Sequence, residues 1–228
     1  MGQVSRVRVP QRASGARLGL TVDQAQALQE APSASAGQGE LRADQRLAVR
    51  DEVILRLLTE TGPRVAELCA ANLQDVRRHE LTGRPVLRIR HGKGGRSRDV
   101  PLSDVLVALL ERYQNEERPA PPAADSEQQR ADGARALVVT IRGRRMTARD
   151  VQRMVERRVK QMPADLRRPV TPHGLRHTAA TVLLRQAGAD VGTVADILGH
   201  SDVGTTSVYL DPSATAAAEA LERSPLAR

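Results

Sequence analysis

Apolar residues recur along this chain mostly at helical spacing, with one short region of strict alternation. Thr21 and Gln24 form a T-x-x-Q capping pattern that predicts a helix over about 21–31. PSASAGQGE, residues 32–40, reads as a linker or turn. Leu47, Ile54, Leu55, Leu57 and Leu58 fall roughly on one face and predict a longer helix over about 42–60. Gly62-Pro63 breaks it, and Pro63 suits the first turn of the next helix, where a missing N–H costs nothing. PVLRIR (85–90) and RSRDVPL (96–102) alternate as strands do. The Gly-rich HGKGG (91–95) between them predicts a β-hairpin. Ser103 is placed to cap a helix over 103–117. Residues 118–135, RPAPPAADSEQQRADGAR, are poor in apolar side chains and read as a mobile loop. ALVVT (136–140) is a short strand candidate, and Thr147 caps a helix to about Met162. Helices over about 172–187, 191–198, 202–210 and 213–223 follow, with Gly188 and Gly199 at C-cap positions. The expected fold is mainly α with a small antiparallel β-sheet or hairpin.

Composition narrows the class of partner. The chain has 228 residues, 40% of them apolar, which suits one domain. With no Phe, no Trp and two Tyr, the core must be built from Leu, Val, Ala and Ile. Lys plus Arg number 35 against 27 Asp plus Glu, a net charge of +8. The isoelectric point near 10.9 favours a polyanionic partner. The excess is local as well as global: Arg142 to Arg168 holds ten basic residues against three acids. Residues 1–20 carry Arg6, Arg8, Arg12 and Arg17 without an acid and read as a flexible basic arm. A single cysteine, Cys69, excludes an internal disulfide and a Cys-based zinc site, and its apolar setting marks it as a small buried residue. No secretory h-region and no run of 18 apolar residues occurs, so a soluble cytoplasmic protein without a membrane partner is expected.

Scarcity of aromatics draws attention to Tyr209, in LGHSDVGTTSVYL (198–210), nine residues after His200. Upstream, TPHGLRHTAAT (171–181) places His173 and Arg176 three apart on one helical face. TGPRVAEL (61–68) sets Arg64 at a helix start, where its fork can meet a phosphate, with Glu67 three residues on to orient a neighbour. Lys93 stands at the tip of the hairpin between glycines that permit close approach of a ligand. Exchange of a phosphodiester needs a nucleophile, cations for the charge that develops on phosphorus oxygens, and an acid for the leaving oxygen. Each part has a candidate here, although each residue alone has a blander explanation as a cap, a packed ring or a solvated charge. His173 and His177 also have metal-ligand spacing. A zinc site would need a third ligand and usually a Glu after the first His, where Gly174 stands, so a structural role for His177 and no metal are expected.

In order and spacing, TGPRVAEL, GKGGRSRDVPL, TPHGLRHTAAT and LGHSDVGTTSVYL together resemble the tyrosine recombinases, or phage integrases, over about residues 21–223. The resemblance implies that domain's fold and its catalytic set: Arg64, Lys93, His173, Arg176, His200 and the nucleophile Tyr209, with Glu67 beside the first arginine. Lys93 would protonate the leaving 5′-oxygen, His173 would serve proton transfer from the tyrosine, Arg176 would join Arg64 on the scissile phosphate, and His200 would contact a phosphate oxygen. It further implies double-stranded DNA as partner, a 3′-phosphotyrosyl intermediate, no ATP or metal cofactor, and a homotetramer on DNA. Residues 213–223 match the terminal helix that docks on a neighbouring protomer in the family. The family's N-terminal DNA-binding domain has no counterpart in residues 1–20. Loss of its phosphate contacts would weaken DNA binding, so a non-catalytic DNA-binding remnant is the alternative reading. A relaxing topoisomerase with the same tyrosine chemistry is a further alternative.

Overall fold

Helix α2 (Ala48–Arg56) runs through the centre of the fold, and every one of its residues except Glu52 is buried. It belongs to a computed structural model that describes residues 19–35, 47–90, 97–199 and 212–228. Helices α1 (Val22–Ser35), α4 (Asp104–Arg112) and α6 (Ala148–Gln161) pack around α2. The shared core is aliphatic, as the composition requires, with Val53, Ile54, Leu55, Leu106, Val151 and Val155 all fully enclosed. Tyr113 completes it: the ring is fully buried and its hydroxyl accepts the N–H of Val139 at 3.2 Å.

The first turn of α2 is capped from far away. Leu47 at its N-cap offers no side-chain acceptor. The carboxylate of Glu117 instead accepts the N–H groups of Val49 and Arg50, both at 3.1 Å. An acidic group at a helix N-terminus meets both the orphan donors and the positive end of the dipole. At its other end α2 widens into a π-turn, Leu57–Thr61, which closes on Gly62 at φ +63°. That left-handed conformation suits glycine, and a Cβ there would lie 2.7 Å from Leu198. Pro63 does not open the next helix as expected. Helix α3 (Val65–Ala70) starts later, with Arg64 as N-cap, because Glu67 reaches back to the Arg64 N–H at 2.8 Å.

The expected hairpin is present as β2 (Pro85–Ile89) and β3 (Arg98–Pro101), antiparallel, with Val86 opposite Pro101 and Ile89 opposite Arg98. Its tip, with Lys93, lies outside the described residues. A third strand, β1 (Val76–Arg78), pairs with β2 to give the order β1-β2-β3. Three residues are too few for an alternation to register in the sequence.

Three further expectations are corrected. Residues 32–35 do not form a linker but continue α1, with Pro32 inside its last turns, where a proline forfeits a single helical hydrogen bond. The stretch 118–135 is not a loop throughout. Glu127–Arg135 is helix α5, opened by a capping box of Ser126 and Gln129. Polar anchors replace apolar ones there: Arg118 donates to the carbonyls of Gly133, Ala134 and Ala136, and Arg144 pairs with the buried Asp125. Residues 136–140 make no regular strand either. Residues 136–139 are buried and held by isolated bridges, Asn72 to Ala136 and Val139 to Arg145.

Helix α8 (Val191–Leu198) ends on Gly199 as anticipated, at φ +72°, whereas α7 (Pro172–Arg185) ends earlier, with Gln186 as C-cap and Gly188 beyond it at φ +65°. The helix expected over 202–210 and the arm at 1–18 lie outside the described residues. Helix α9 (Pro212–Arg223) packs on α8 and β3 of its own chain. Arg223 donates to the Ala187 carbonyl at 2.9 Å, and Leu226 beyond the helix is fully buried. Among the described residues no helix is long and apolar enough to cross a membrane.

Glu60, in the π-turn, is wholly buried against Arg56 at 3.2 Å and the Ser103 hydroxyl at 2.8 Å. Burial dominates these partners and raises its pKa to about 7. A carboxyl raised on folding stabilises the native state in full below its unfolded pKa, and that stability fades as pH climbs toward the folded value. Between pH 4.5 and about 7, Glu60 should therefore withdraw roughly 2–3 kcal/mol of stability. Denaturant titrations of Glu60→Gln should lack this slope; a slope equal to the parent's would assign it to other groups.

Candidate active site

The C-terminus of α8 is where the candidate site assembles. A helix leaves its last carbonyls without intrahelical partners and carries partial negative charge there. Three arginines from three different elements take three consecutive carbonyls. Arg98 of β3 donates Nε to Ile197 O at 3.0 Å. Arg176 of α7 donates Nη2 to Leu198 O at 2.8 Å. Arg64, at the start of α3, donates Nη2 to Gly199 O at 3.2 Å. Arg176 also holds Gly62 O at 2.6 Å, which ties α7 to the glycine that closes the π-turn.

One carboxylate balances this cluster. Glu67 Oε1 accepts from Arg64 Nη1 at 2.9 Å and Arg98 Nη1 at 3.1 Å. Its Oε2 accepts from the Arg64 N–H and from Arg98 Nη2, each at 2.8 Å. Burial alone would raise the carboxyl, but the bonds from Arg98 and Arg64 outweigh it and hold its pKa below the ordinary value. Glu67 is therefore an anion that orients two guanidiniums, and three cations share it. Arg176 bears the strain of this crowding: burial first, then repulsion from Arg64, lowers its pKa to about 10. It stays charged at neutral pH. An arriving phosphate would relieve it, since a second anion restores the balance that burial removes. Arg64 keeps about a third of its side chain open to solvent, so the cluster can be reached.

The remaining expected residues divide. His173 is exposed in the first turn of α7, behind the Thr171 cap, whose hydroxyl accepts the Gly174 N–H at 3.2 Å. It stands one turn before the buried Arg176. His177 is also exposed on α7, so its ring does not pack in the core. Among the described residues no group of His, Cys, Asp and Glu is arranged to hold a metal. Lys93, His200 and Tyr209 lie outside the described residues. His200 directly follows Gly199, so the three arginines hold the carbonyls at the root of the segment that carries His200 and Tyr209. Tyr113 is enclosed in the core and hydrogen-bonded, which removes it as a competing nucleophile.

Arg98 escaped the sequence reading, although a signal was there. In RSRDVPL the alternation puts Arg98 in line with Val100 and Leu102, both buried. An arginine on the inward face of a strand needs a buried partner, and Glu67 is that partner.

A model of the phage integrase family matches residues 19–215. Tyrosine recombinase XerC of Mycobacterium sp. (strain KMS) is 37% identical over 190 residues, covering 83% of this chain and 57% of the relative. This chain thus spans less than two thirds of the length of the curated relatives named here. Among solved structures, XerA recombinase superposes with a TM-score of 0.61 and 28% identity, covering 92% of this chain and 61% of that one. XerH site-specific recombinase, in a post-cleavage complex with a palindromic difH substrate, has a TM-score of 0.60 and covers 91% of this chain and 50% of that one. At 23% identity the XerH likeness speaks for the fold alone. The family model, the XerC identity and the arginine cluster at the end of α8 converge: this chain belongs to the phage integrase family of tyrosine recombinases.

Proposed function

We propose that this chain cuts and rejoins double-stranded DNA as a site-specific recombinase, with Tyr209 as nucleophile. The observation that carries the reading is the joint capture of consecutive α8 carbonyls by Arg64 and Arg176 beside Glu67, one residue before His200. The two guanidiniums clamp the non-bridging oxygens of the scissile phosphate, whose charge grows in the transition state. The Tyr209 oxygen attacks phosphorus and gives up its proton toward His173. The P–O5′ bond breaks, and Lys93 protonates the departing 5′-oxygen. The 3′-phosphotyrosyl link conserves the phosphodiester, so a 5′-hydroxyl from a second strand reverses the step without ATP. His200 contacts a phosphate oxygen. The net charge of +8 and the arginine-rich face of α6 supply salt-sensitive attraction to the duplex.

A homotetramer on two DNA sites accords with this chemistry. Exchange of α9 between protomers would require it to leave its own β3 and α8 and to break the Arg223–Ala187 hydrogen bond.

The experiment is a trap. Nicked duplexes with randomised arms lose a short strand on cleavage and cannot be religated. Incubated with the 228-residue chain, they should yield an adduct that survives denaturing gels, and peptide mass mapping should place the nucleotide on Tyr209. Salt-sensitive duplex binding with no adduct would replace this reading with a DNA-binding role. A nucleotide on any other residue would remove Tyr209.

A further inference from the structure

We propose that Arg98 is a positioning residue that couples the phosphate clamp to the segment bearing the nucleophile; this rests on the recombinase reading above. Arg98 touches both halves of the site. Through Nη1 and Nη2 it grips both oxygens of Glu67, at 3.1 and 2.8 Å. Through Nε it holds Ile197 O at 3.0 Å, in the last turn of α8. Glu67 in turn fixes the backbone and the guanidinium of Arg64. One planar guanidinium thus sets the distance between the Arg64–Glu67 pair and the point where the chain leaves α8 for His200 and Tyr209.

Burial and packing make this link stiff. The Arg98 side chain is 13% exposed and that of Glu67 4%. Gly199 packs flat on the guanidinium: a Cβ there would sit 2.6 Å from Arg98 Nη1 and 2.8 Å from its Cζ, at a φ of +72° that side chains resist. Arg64 and Arg176 each have a phosphate to bind on this reading. Arg98 directs three of its five N–H donors to Glu67 and Ile197, and on this proposal it acts through those residues.

Arg98→Lys keeps the charge but cannot span Glu67 and Ile197 together. It should bind duplex DNA like the parent yet form the tyrosyl adduct more slowly by roughly 10- to 100-fold, the factor that accompanies loss of a charge-assisted hydrogen bond. Arg98→Ala should lose at least as much and regain part of it with millimolar guanidinium, a rescue that a merely structural defect would not show. Gly199→Ala, which displaces the same guanidinium from the opposite side, should match Arg98→Lys. A second readout needs no DNA. With 3-fluorotyrosine incorporated, the two tyrosines give two fluorine resonances, assigned through Tyr209→Phe. Arg98→Lys should shift or narrow the Tyr209 signal and leave that of buried Tyr113 in place. If the parent makes no adduct, the recombinase reading fails, while the fluorine spectra still judge the coupling. An unmoved Tyr209 signal, or adduct formation at the parental rate in Arg98→Lys, would overturn the proposal.

Discussion

Arg176→Lys should leave duplex binding close to the parent's and slow strand cleavage by roughly 100- to 1,000-fold, as removal of one preorganised donor from an anion site does. Arg176 spans Gly62 O at 2.6 Å and Leu198 O at 2.8 Å with two different nitrogens. Those carbonyls belong to the π-turn cap and to the end of α8, so the guanidinium is held in position from two sides. An ammonium is a point charge on a flexible stem and cannot bridge both carbonyls and a phosphate in one geometry. It would also meet the burial and the Arg64 repulsion that already lower Arg176 to about 10. A lysine starts from a lower pKa than an arginine, so the same environment moves it toward neutrality at working pH. Single-turnover cleavage of the trapped substrate measures the effect. Cleavage at the parental rate would remove Arg176 from the clamp.

The largest expected loss of stability lies away from the site, at Asp51. Its side chain is wholly buried in α2. Oδ1 takes Arg50 Nε at 2.9 Å and Nη2 at 2.6 Å, and Oδ2 takes Arg158 Nε at 2.8 Å. Arg50 is 5% exposed and Arg158 1%. Asp51→Ala leaves two guanidiniums in the core without their anion, a defect of about 3–5 kcal/mol. For a chain of this length that corresponds to a fall of roughly 6–20 °C in Tm. Arg158→Met placed on top of Asp51→Ala should recover part of the loss, because an apolar side chain carries no desolvation cost there. Calorimetry of the two variants checks both statements. A Tm unchanged by Asp51→Ala would show that water or another anion already balances the pair.

The legibility of this protein in its sequence differs between elements for reasons of range. Helices α4, α6, α7 and α8 were readable because their caps are local. Ser103, Thr147, Thr171 and Asp190 each accept an N–H three residues on. Helix α5 was not expected, since it has no large apolar residue and is secured by Arg118 and by Asp125 with Arg144. Strand β1 depends on register with β2, and the cap of α2 comes from Glu117, nearly 70 residues later. Neither leaves a periodic trace. In the arginine cluster, Arg64, Glu67 and Arg176 could be named from spacing, whereas Arg98 required knowing which face of β3 turns inward.

By itself the sequence determined the helical architecture, the hairpin, the basic character and the family, since periodicity, caps and the order of four short blocks are properties of the chain read locally. It also determined which residue types are available for phosphate chemistry. The tertiary structure decided how they act together. It stacked the ends of the π-turn, β3, α7 and α8 so that three arginines, far apart in sequence, take three successive carbonyls and two of them bond one carboxylate. Like charges gather in so small a space only where a buried anion and a helix terminus are already in place to hold them, and that arrangement exists in the folded chain alone.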